Sequence, residues 1–494
     1  MKVEVEVGEA VIQRVSTGNS KLDSFLSGGF PRGSLILVSG NPGTGKTIFT
    51  ASFLYNGAVL DGENGIYISF CEGKRSFFEN MNSLGLDFER LEKQGRFRFM
   101  EMFTTTKEGM GAITGEMLRA IKEFGAKRLV IDSYSVMAQA LGGPYEGRQV
   151  LHTVLGKIVR NLGCTTLVIG EQPSGDTRIG DGAEEFVADG VINLKLTIPR
   201  EMEIRKMRGT KLKTRDLIYT IDRGFRVLTT DLMTPESPKR WEPIPDSEDL
   251  ISSGCRDLDA ILGGGFPRGT YFVLESSNEV QLTEIRLFTR ALILNFINQG
   301  RGCVMIPSGG GDSKGIKASL SPFTTPEAFN AYVRISEPVP EYLTKKGSPQ
   351  TLPPYIIPIK AGEGAEKEGD LDASSNAFEV AYNKLKERTG NQPILRNIGY
   401  DNLEASYARF PEKLLNEVGD AIAQTRSRGD LSMGLARPNL SILGKVLSMV
   451  DWHIKLSKKD EVLLLQGIKP HTNIYAADCD ISKGYPQMKL TLLT

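Results

Sequence analysis

Residues 15–47 read VSTGNSKLDSFLSGGFPRGSLILVSGNPGTGKT. The apolar run Leu35-Ile36-Leu37-Val38 has the length and composition of a buried strand. It leads into Gly40-Asn41-Pro42-Gly43-Thr44-Gly45-Lys46-Thr47, which fits the pattern GxxxxGK[ST], and a helical stretch, Thr47–Leu60, follows. Glycines at this spacing let the backbone curl so that successive N–H groups face one anion. The helix that opens here adds its positive end. Lys46 is placed to reach the β- and γ-phosphates of a bound ATP, and the Thr47 hydroxyl to hold Mg²⁺. A ligand-free glycine turn is the alternative, and it would not need a strand before it and a helix after it.

Working outward, the block repeats. Residues 251–274 read ISSGCRDLDAILGGGFPRGTYFVL: GGFPRG recurs intact, and Leu22-Asp23 returns as Leu258-Asp259 at the same offset of 236 residues. This implies two tandem copies of one domain, over 1–230 and 249–494. The polar, Pro-rich stretch 231–248 reads as their linker. In the first copy, further apolar runs at 66–68, 129–131 and 166–169 alternate with helical segments such as Ala112–Phe124. That alternation predicts an α/β fold with a mainly parallel central sheet. VINLKLTI, EMEIRKMRG and LIYTIDRGFRVL, after Gly190, predict an antiparallel edge.

Two carboxylates join the phosphate loop. Asp132 ends the strand RLVID, where it can hold the metal; capping a turn with Ser133 and Ser135 is the simpler alternative. Glu72 follows the strand GIYISF, at a carboxyl end where α/β sheets bind ligands. It is the candidate to orient or deprotonate water.

Lys plus Arg and Asp plus Glu number 60 each, so the chain is neither a basic nucleic-acid coat nor an acidic tail. We find no apolar run long enough for a membrane span and no signal-peptide core; the N-terminus, MKVEVEVGEAVIQRV, alternates like a strand. The five cysteines are scattered without a CxxC pair, as expected of reduced thiols in a cytoplasmic protein. His152, His453 and His471 are singles without ligand spacing, and Trp241 and Trp452 read as packing residues.

The opening block, the P-loop, RLVIDS, the stretch Glu184-Glu185-Phe186-Val187-Ala188-Asp189 and Lys206-Met207-Arg208-Gly209-Thr210 together resemble the KaiC-like branch of the RecA-type ATPases. The resemblance covers nearly all of residues 10–230 and, in the second half, 245–275 with scattered later segments. It implies two RecA-like P-loop NTPase domains, a homo-oligomeric ring, often a hexamer, and ATP between subunits. It further implies that Lys206 and Arg208 reach a neighbour's nucleotide, where a cation stabilises the transition state. Without the resemblance, IRKMRGTKLK is a solvated basic hairpin. Relatives carry two adjacent glutamates after the second strand; here Cys71 replaces the first, and only Glu72 remains. Cys71 is a poor base for water, so either Glu72 takes over or the site mainly holds ATP.

The second copy departs further. At the offset of the P-loop stands Ser276-Ser277-Asn278-Glu279-Val280-Gln281-Leu282-Thr283, with a carboxylate facing the phosphate position and no lysine. We read 249–494 as a degenerate RecA-like domain, with Asp401 as remnant of the metal aspartate and Asp451 in the position of Asp189. Residues 338–376, rich in Pro, Gly and charge, read as an inserted loop, either a partner surface or without a role.

Three functions follow from these residues. The first is a slow regulatory or signalling ATPase that works as a scaffold with a protein partner. The second is a DNA-directed ATPase of recombination or repair, for which loop 172–183, QPSGDTRIGDGA, holds one Arg and two Asp, a weak basis for phosphate contact. The third is a non-hydrolysing, ATP-stabilised assembly module.

Overall fold

The computed structural model describes residues 12–102, 107–140, 149, 151–153, 160–171, 184–212, 214–339, 352–360 and 368–493. Of the N-terminal stretch 1–15, expected as a strand, the first eleven residues lie outside these, as does the loop 172–183. Contacts divide the chain into two compact units, Met1–Thr229 with the last two residues, and Thr230–Leu492. Among the described residues no helix is long and apolar enough to cross a membrane, and no cluster of His, Cys, Asp and Glu could hold a metal ion alone.

The first unit contains β1 (Arg14–Val15), β2 (Phe30–Pro31), β3 (Leu35–Gly40), β4 (Gly65–Ser69), β5 (Phe97–Glu101), β6 (Arg128–Asp132), β7 (Thr165–Glu171), β8 (Gly190–Lys195), β9 (Glu201–Met207), β10 (Asp216–Thr220) and β11 (Arg226–Leu228). Its nine-stranded sheet runs β11-β10-β9-β8-β3-β7-β6-β4-β5. The strands from β5 to β8 are parallel, and β9 to β11 extend the sheet antiparallel, the edge expected from sequence. Every residue of β3 is buried because both faces are covered. Ile36 and Val38 pack with Phe49 and Phe53 of the helix Lys46–Leu60, while Leu35 packs with Ile66 and Ile131 on the other face. Burial of each large apolar side chain contributes ~1.5–3 kcal/mol.

The second unit contains β12 (Leu250–Ile251), β13 (Phe266–Pro267), β14 (Tyr271–Ser276), β15 (Cys303–Ile306), β16 (Val333–Val339), β17 (Ile356–Lys360), β18 (Leu395–Gly399), β19 (Leu431–Ala436), β20 (Trp452–Lys459), β21 (Val462–Lys469), β22 (Ile474–Asp480) and β23 (Gln487–Leu492). The order β17-β16-β15-β18-β19-β14-β20-β21-β22-β23 repeats that of the first unit strand for strand, with β17 added at the edge.

The recurring sequence block has the same structural task in both units. Asp23 accepts from Ser16 Oγ and Thr17 N, at 2.7 Å each, and Asp259 accepts from Ser252 Oγ at 2.6 Å and Ser253 N at 2.8 Å. Gly29 and Gly265 have φ of 108° and 133°, and a Cβ would meet the carbonyl oxygen of Val15 at 2.2 Å or of Ile251 at 2.6 Å. Asp189 accepts from Leu35 N at 3.0 Å, and Asp451 from Tyr271 N at 2.9 Å, so Asp451 holds the strand start as Asp189 does.

Two segments differ from their composition-based reading. The stretch 231–248 packs within the second unit, where the Trp241 ring is buried against Tyr485 (ring centroids 4.7 Å apart) and the Trp241 backbone N–H donates to Phe323 O. Within 338–376, the described residues include β17 and the start of the helix Glu368–Arg388; residues 340–351 and 361–367 lie outside the description.

Candidate functional site

The phosphate loop joins β3 to the helix Lys46–Leu60. Gly45 sits at the helix N-cap with φ 90°, a left-handed conformation that costs an L-residue strain. Lys46 Nζ donates to Gly40 O at 2.7 Å and Asn41 O at 3.1 Å, folded back over its own loop. Burial lowers its pKa, against the opposing fields of Glu171 and then Asp132. The Thr47 hydroxyl donates to Asp132 Oδ2 at 3.1 Å, and Tyr67 OH donates to the same oxygen at 2.6 Å. Burial pushes the Asp132 carboxyl up, and the hydrogen bonds from Tyr67 and Thr47 oppose it. A hydroxyl and a carboxylate side by side are hard oxygen donors, the set Mg²⁺ prefers.

β4 delivers Cys71 and Glu72 to the same end of the sheet. Ser69 Oγ accepts the N–H groups of both, at 3.3 and 2.9 Å. The Glu72 carboxylate accepts from Ser76 Oγ at 2.6 Å and Asn80 Nδ2 at 2.8 Å, both on the helix Lys74–Ser83. Its one bonded oxygen is thus committed to that helix. Cys71 Sγ lies 3.7 Å from Ser133 Oγ.

Four supporting residues have no motif to announce them. Tyr67 orients Asp132. Glu171 ends β7 in register with Gly40, and its N–H is held by Ser135 Oγ at 2.9 Å. Tyr219, on β10, donates its hydroxyl to Thr44 O at 2.6 Å, and Arg200 Nη1 donates to Gly43 O at 2.8 Å. The antiparallel edge therefore grips the phosphate loop. Only the sheet order reveals this, because β10 lies far along the chain from residues 40–47.

Lys206 and Arg208 stand elsewhere. Lys206 Nζ donates to Glu185 O at 2.8 Å, and Arg208 Nη1 pairs with Asp189 at 3.2 Å while its Nη2 donates to Phe186 O. Both cations thus meet the carbonyl end of the short helix Glu184–Val187, beside Phe186, which is 79% exposed. Through Asp189 O, Arg208 lies level with Leu35, and at ~3.3 Å per residue Gly40 is about 16 Å along the sheet. Neither cation is bonded to the loop of its own chain.

In the second unit the vestigial loop follows β14, and Gln281 and Glu284 form a capping box on the helix Leu282–Ile297. Arg437 Nη1, just past β19, donates to Ser277 O at 2.7 Å and Val280 O at 2.9 Å. A cation from another strand thus meets the loop carbonyls, as Lys46 does in the first unit. Asp401 is not the remnant of Asp132. Asp132 is the last residue of β6 and faces the helix Lys46–Leu60, whereas β18 ends at Gly399, two residues before Asp401. Asp401 lies in the next helix and accepts from Ser308 Oγ at 2.8 Å and Gly309 N at 2.6 Å.

Comparison with known proteins agrees with this division. The family model described as KaiC ATPase matches residues 15–231, and that described as GvpD basic region 2 matches 240–494. A UPF0273 protein of Thermotoga maritima is 32% identical over 241 residues, 45% of this chain and 98% of that protein. Circadian clock protein KaiC3 of Synechocystis is 28% identical over 280 residues, which span 54% of each chain. A KaiC-like protein of Pyrococcus horikoshii, of known structure, is 35% identical, with 44% of this chain and all of that one covered and a TM-score of 0.40. The chain belongs to the KaiC-type ATPases through its first half, and its second half to the family described as GvpD basic region 2.

Proposed function

We propose that this is a slow, cytoplasmic, regulatory ATPase. ATP with Mg²⁺ binds at residues 40–47, in a homo-oligomeric ring, hexameric by analogy, whose nucleotide state a protein partner reads. The observation that carries the reading is the convergence of Lys46, Thr47 and Asp132 at the end of a buried parallel sheet. Lys46, freed from its loop carbonyls, would bind the β- and γ-phosphates; Thr47 and Asp132 would hold the metal, which neutralises charge on the phosphates. Glu72 is the carboxylate assigned to the attacking water. Lys206 and Arg208, bonded away from their own loop and beside the exposed Phe186, are assigned to a neighbour's γ-phosphate.

A non-hydrolysing ATP-stabilised module is the second reading. It is favoured by Cys71 in place of a glutamate and by the bonds that hold Glu72 to Ser76 and Asn80. The test is ATP hydrolysis by the purified chain with and without single- and double-stranded DNA, beside Glu72→Gln. Turnover that ignores DNA and fails in the variant supports the proposal. Tight ATP binding without turnover supports the second reading, and strong DNA stimulation overturns both in favour of a recombination-type ATPase.

A further inference from the structure

A cavity of about 1100 Å³ lies in the second unit, lined by the carboxyl ends of β15, β16 and β18 and by the helices Glu368–Arg388, Tyr400–Ser406 and Pro411–Arg428. No described residue of the vestigial loop 276–283 lines it. It lies where the strand order reverses: from β15 the chain moves outward to β16 and β17, then returns with β18 on the other side of β15. Open α/β sheets take ligands at such points. The segment 338–376, which the first unit lacks, helps build it through Pro338, Ile359, Leu371 and Ser374.

Arg396 supplies the independent sign of a ligand. On β18, Leu395 packs into the core of the opposite face, so alternation places Arg396 with Ile398 on the cavity side. Arg396 is 3% exposed and lies over the Tyr382 ring at 4.2 Å. One of its amino groups donates to Gln424 Oε1 at 3.0 Å and lies 3.3 Å from Glu379. Its Nε–H is buried without an acceptor. A donor left so bears its full desolvation cost, and Arg396 is one of the residues that line the cavity.

The remaining lining sets the charge of the guest. Glu417, Asp420 and Gln424 fall at helical spacing on one face of Pro411–Arg428. Burial pushes the Glu417 carboxyl up; Lys413 opposes this, and Asp420, Asp372 and Glu379 add to it. Glu337, Glu379, Glu417 and Asp420 outnumber Arg396 and Arg409 in the lining, so phosphates and carboxylates are repelled. Phe378, Leu403 and Val418 supply an apolar wall.

We propose that this cavity is a binding site for a small organic amine with an apolar body and an uncharged oxygen acceptor. The ammonium meets Glu417 and Asp420, the oxygen accepts from Arg396 Nε, and the body packs on Phe378 and Leu403.

The test is calorimetric titration of the full-length chain with L-phenylalaninamide, N-acetyl-L-phenylalaninamide and 3-phenylpropionate. Saturable binding of the first, at least about tenfold weaker binding of the acetylated probe and none of the anion are expected. Ala421→Phe, which fills the cavity, should abolish binding. Because that change can disturb packing, the near-isosteric pair Glu417→Gln with Asp420→Asn repeats the test and should weaken binding by about tenfold or more. No saturable binding of the amine at millimolar concentration overturns the proposal. So does equal binding of all three probes, or binding that both variants leave unchanged.

Discussion

The grip of Tyr219 on the phosphate loop allows a quantitative test. Tyr219→Phe removes one hydroxyl and little else: the ring stays stacked on Phe225 (centroids 4.8 Å), which in turn meets Phe49 at 4.6 Å. Tyr219 is fully buried, and burial pushes its hydroxyl up to about 12, so it is a protonated donor at any working pH. Its loss leaves Thr44 O without the 2.6 Å partner that holds the middle of the loop. A buried carbonyl left unpaired costs ~1–3 kcal/mol. In a unit of this size each 1 kcal/mol lowers Tm by ~2–4 °C, so a fall of roughly 2–12 °C is expected. The same carbonyl fixes the curl of the loop, and if half of the cost falls on the nucleotide-competent shape, ATP affinity drops by about three- to tenfold. Competition of ATP against a fluorescent analogue measures the second effect, and calorimetric melting the first. Unchanged affinity together with unchanged Tm would refute the idea that the antiparallel edge supports the loop.

Lys46→Ala should abolish ATP binding, measured by the same competition; unaltered affinity would remove the site assignment. Arg208→Ala should lower turnover more than affinity, and mixing it with Lys46→Ala chains should restore part of the turnover if it acts on a neighbour; a fall in Tm with normal turnover would leave it only the ion pair with Asp189. Asp132→Asn should raise the Tm of the magnesium-free protein near neutral pH while abolishing Mg²⁺-dependent binding. Burial raises the Asp132 carboxyl above its unfolded value of ~3.9, so its stability contribution is complete below that value and is lost as pH rises through the folded one; the advantage of the variant should shrink in acid. Arg437→Leu should destabilise the second unit by ~1–3 kcal/mol, since Ser277 O and Val280 O lose their shared donor, with no change in ATP binding by the first unit.

The sequence shows most clearly where one periodicity carries the meaning. The runs at 35–38, 66–68, 129–131 and 166–169 all lie in buried parallel strands, because strands covered on both faces must be apolar throughout. β5 escaped that reading: in FRFME only Phe97 and Phe99 are buried, as befits an edge strand. Residues defined by register were also hidden. Asp401 resembles the metal aspartate by its place after a strand, yet it stands in the helix that follows β18, two residues past the strand end. Arg128 opens the strand RLVID as an ordinary charged residue, but it is fully buried, donating to Glu63, Ser16 O and Phe53 O. Nothing in the local pattern distinguishes it from a solvated arginine, because its partners come from three other segments.

The two halves separate the residues that build this fold from those that use it. Asp23 and Asp259, Gly29 and Gly265, and Asp189 and Asp451 do the same work in both units, and each has a partner in its own backbone. The positions that differ are those whose proposed partner is a ligand: Lys46 against Leu282 and Gly43 against Glu279. Loss of the ligand contacts therefore leaves the frame intact, provided that the loop carbonyls Lys46 would otherwise cover find another donor. Arg437 is that donor. It makes the second loop complete without nucleotide, whereas the first loop keeps a cation that must leave its carbonyls to bind phosphate. On this reasoning only the first unit can couple its loop conformation to ATP, and any signal that the second unit receives must enter through a different site.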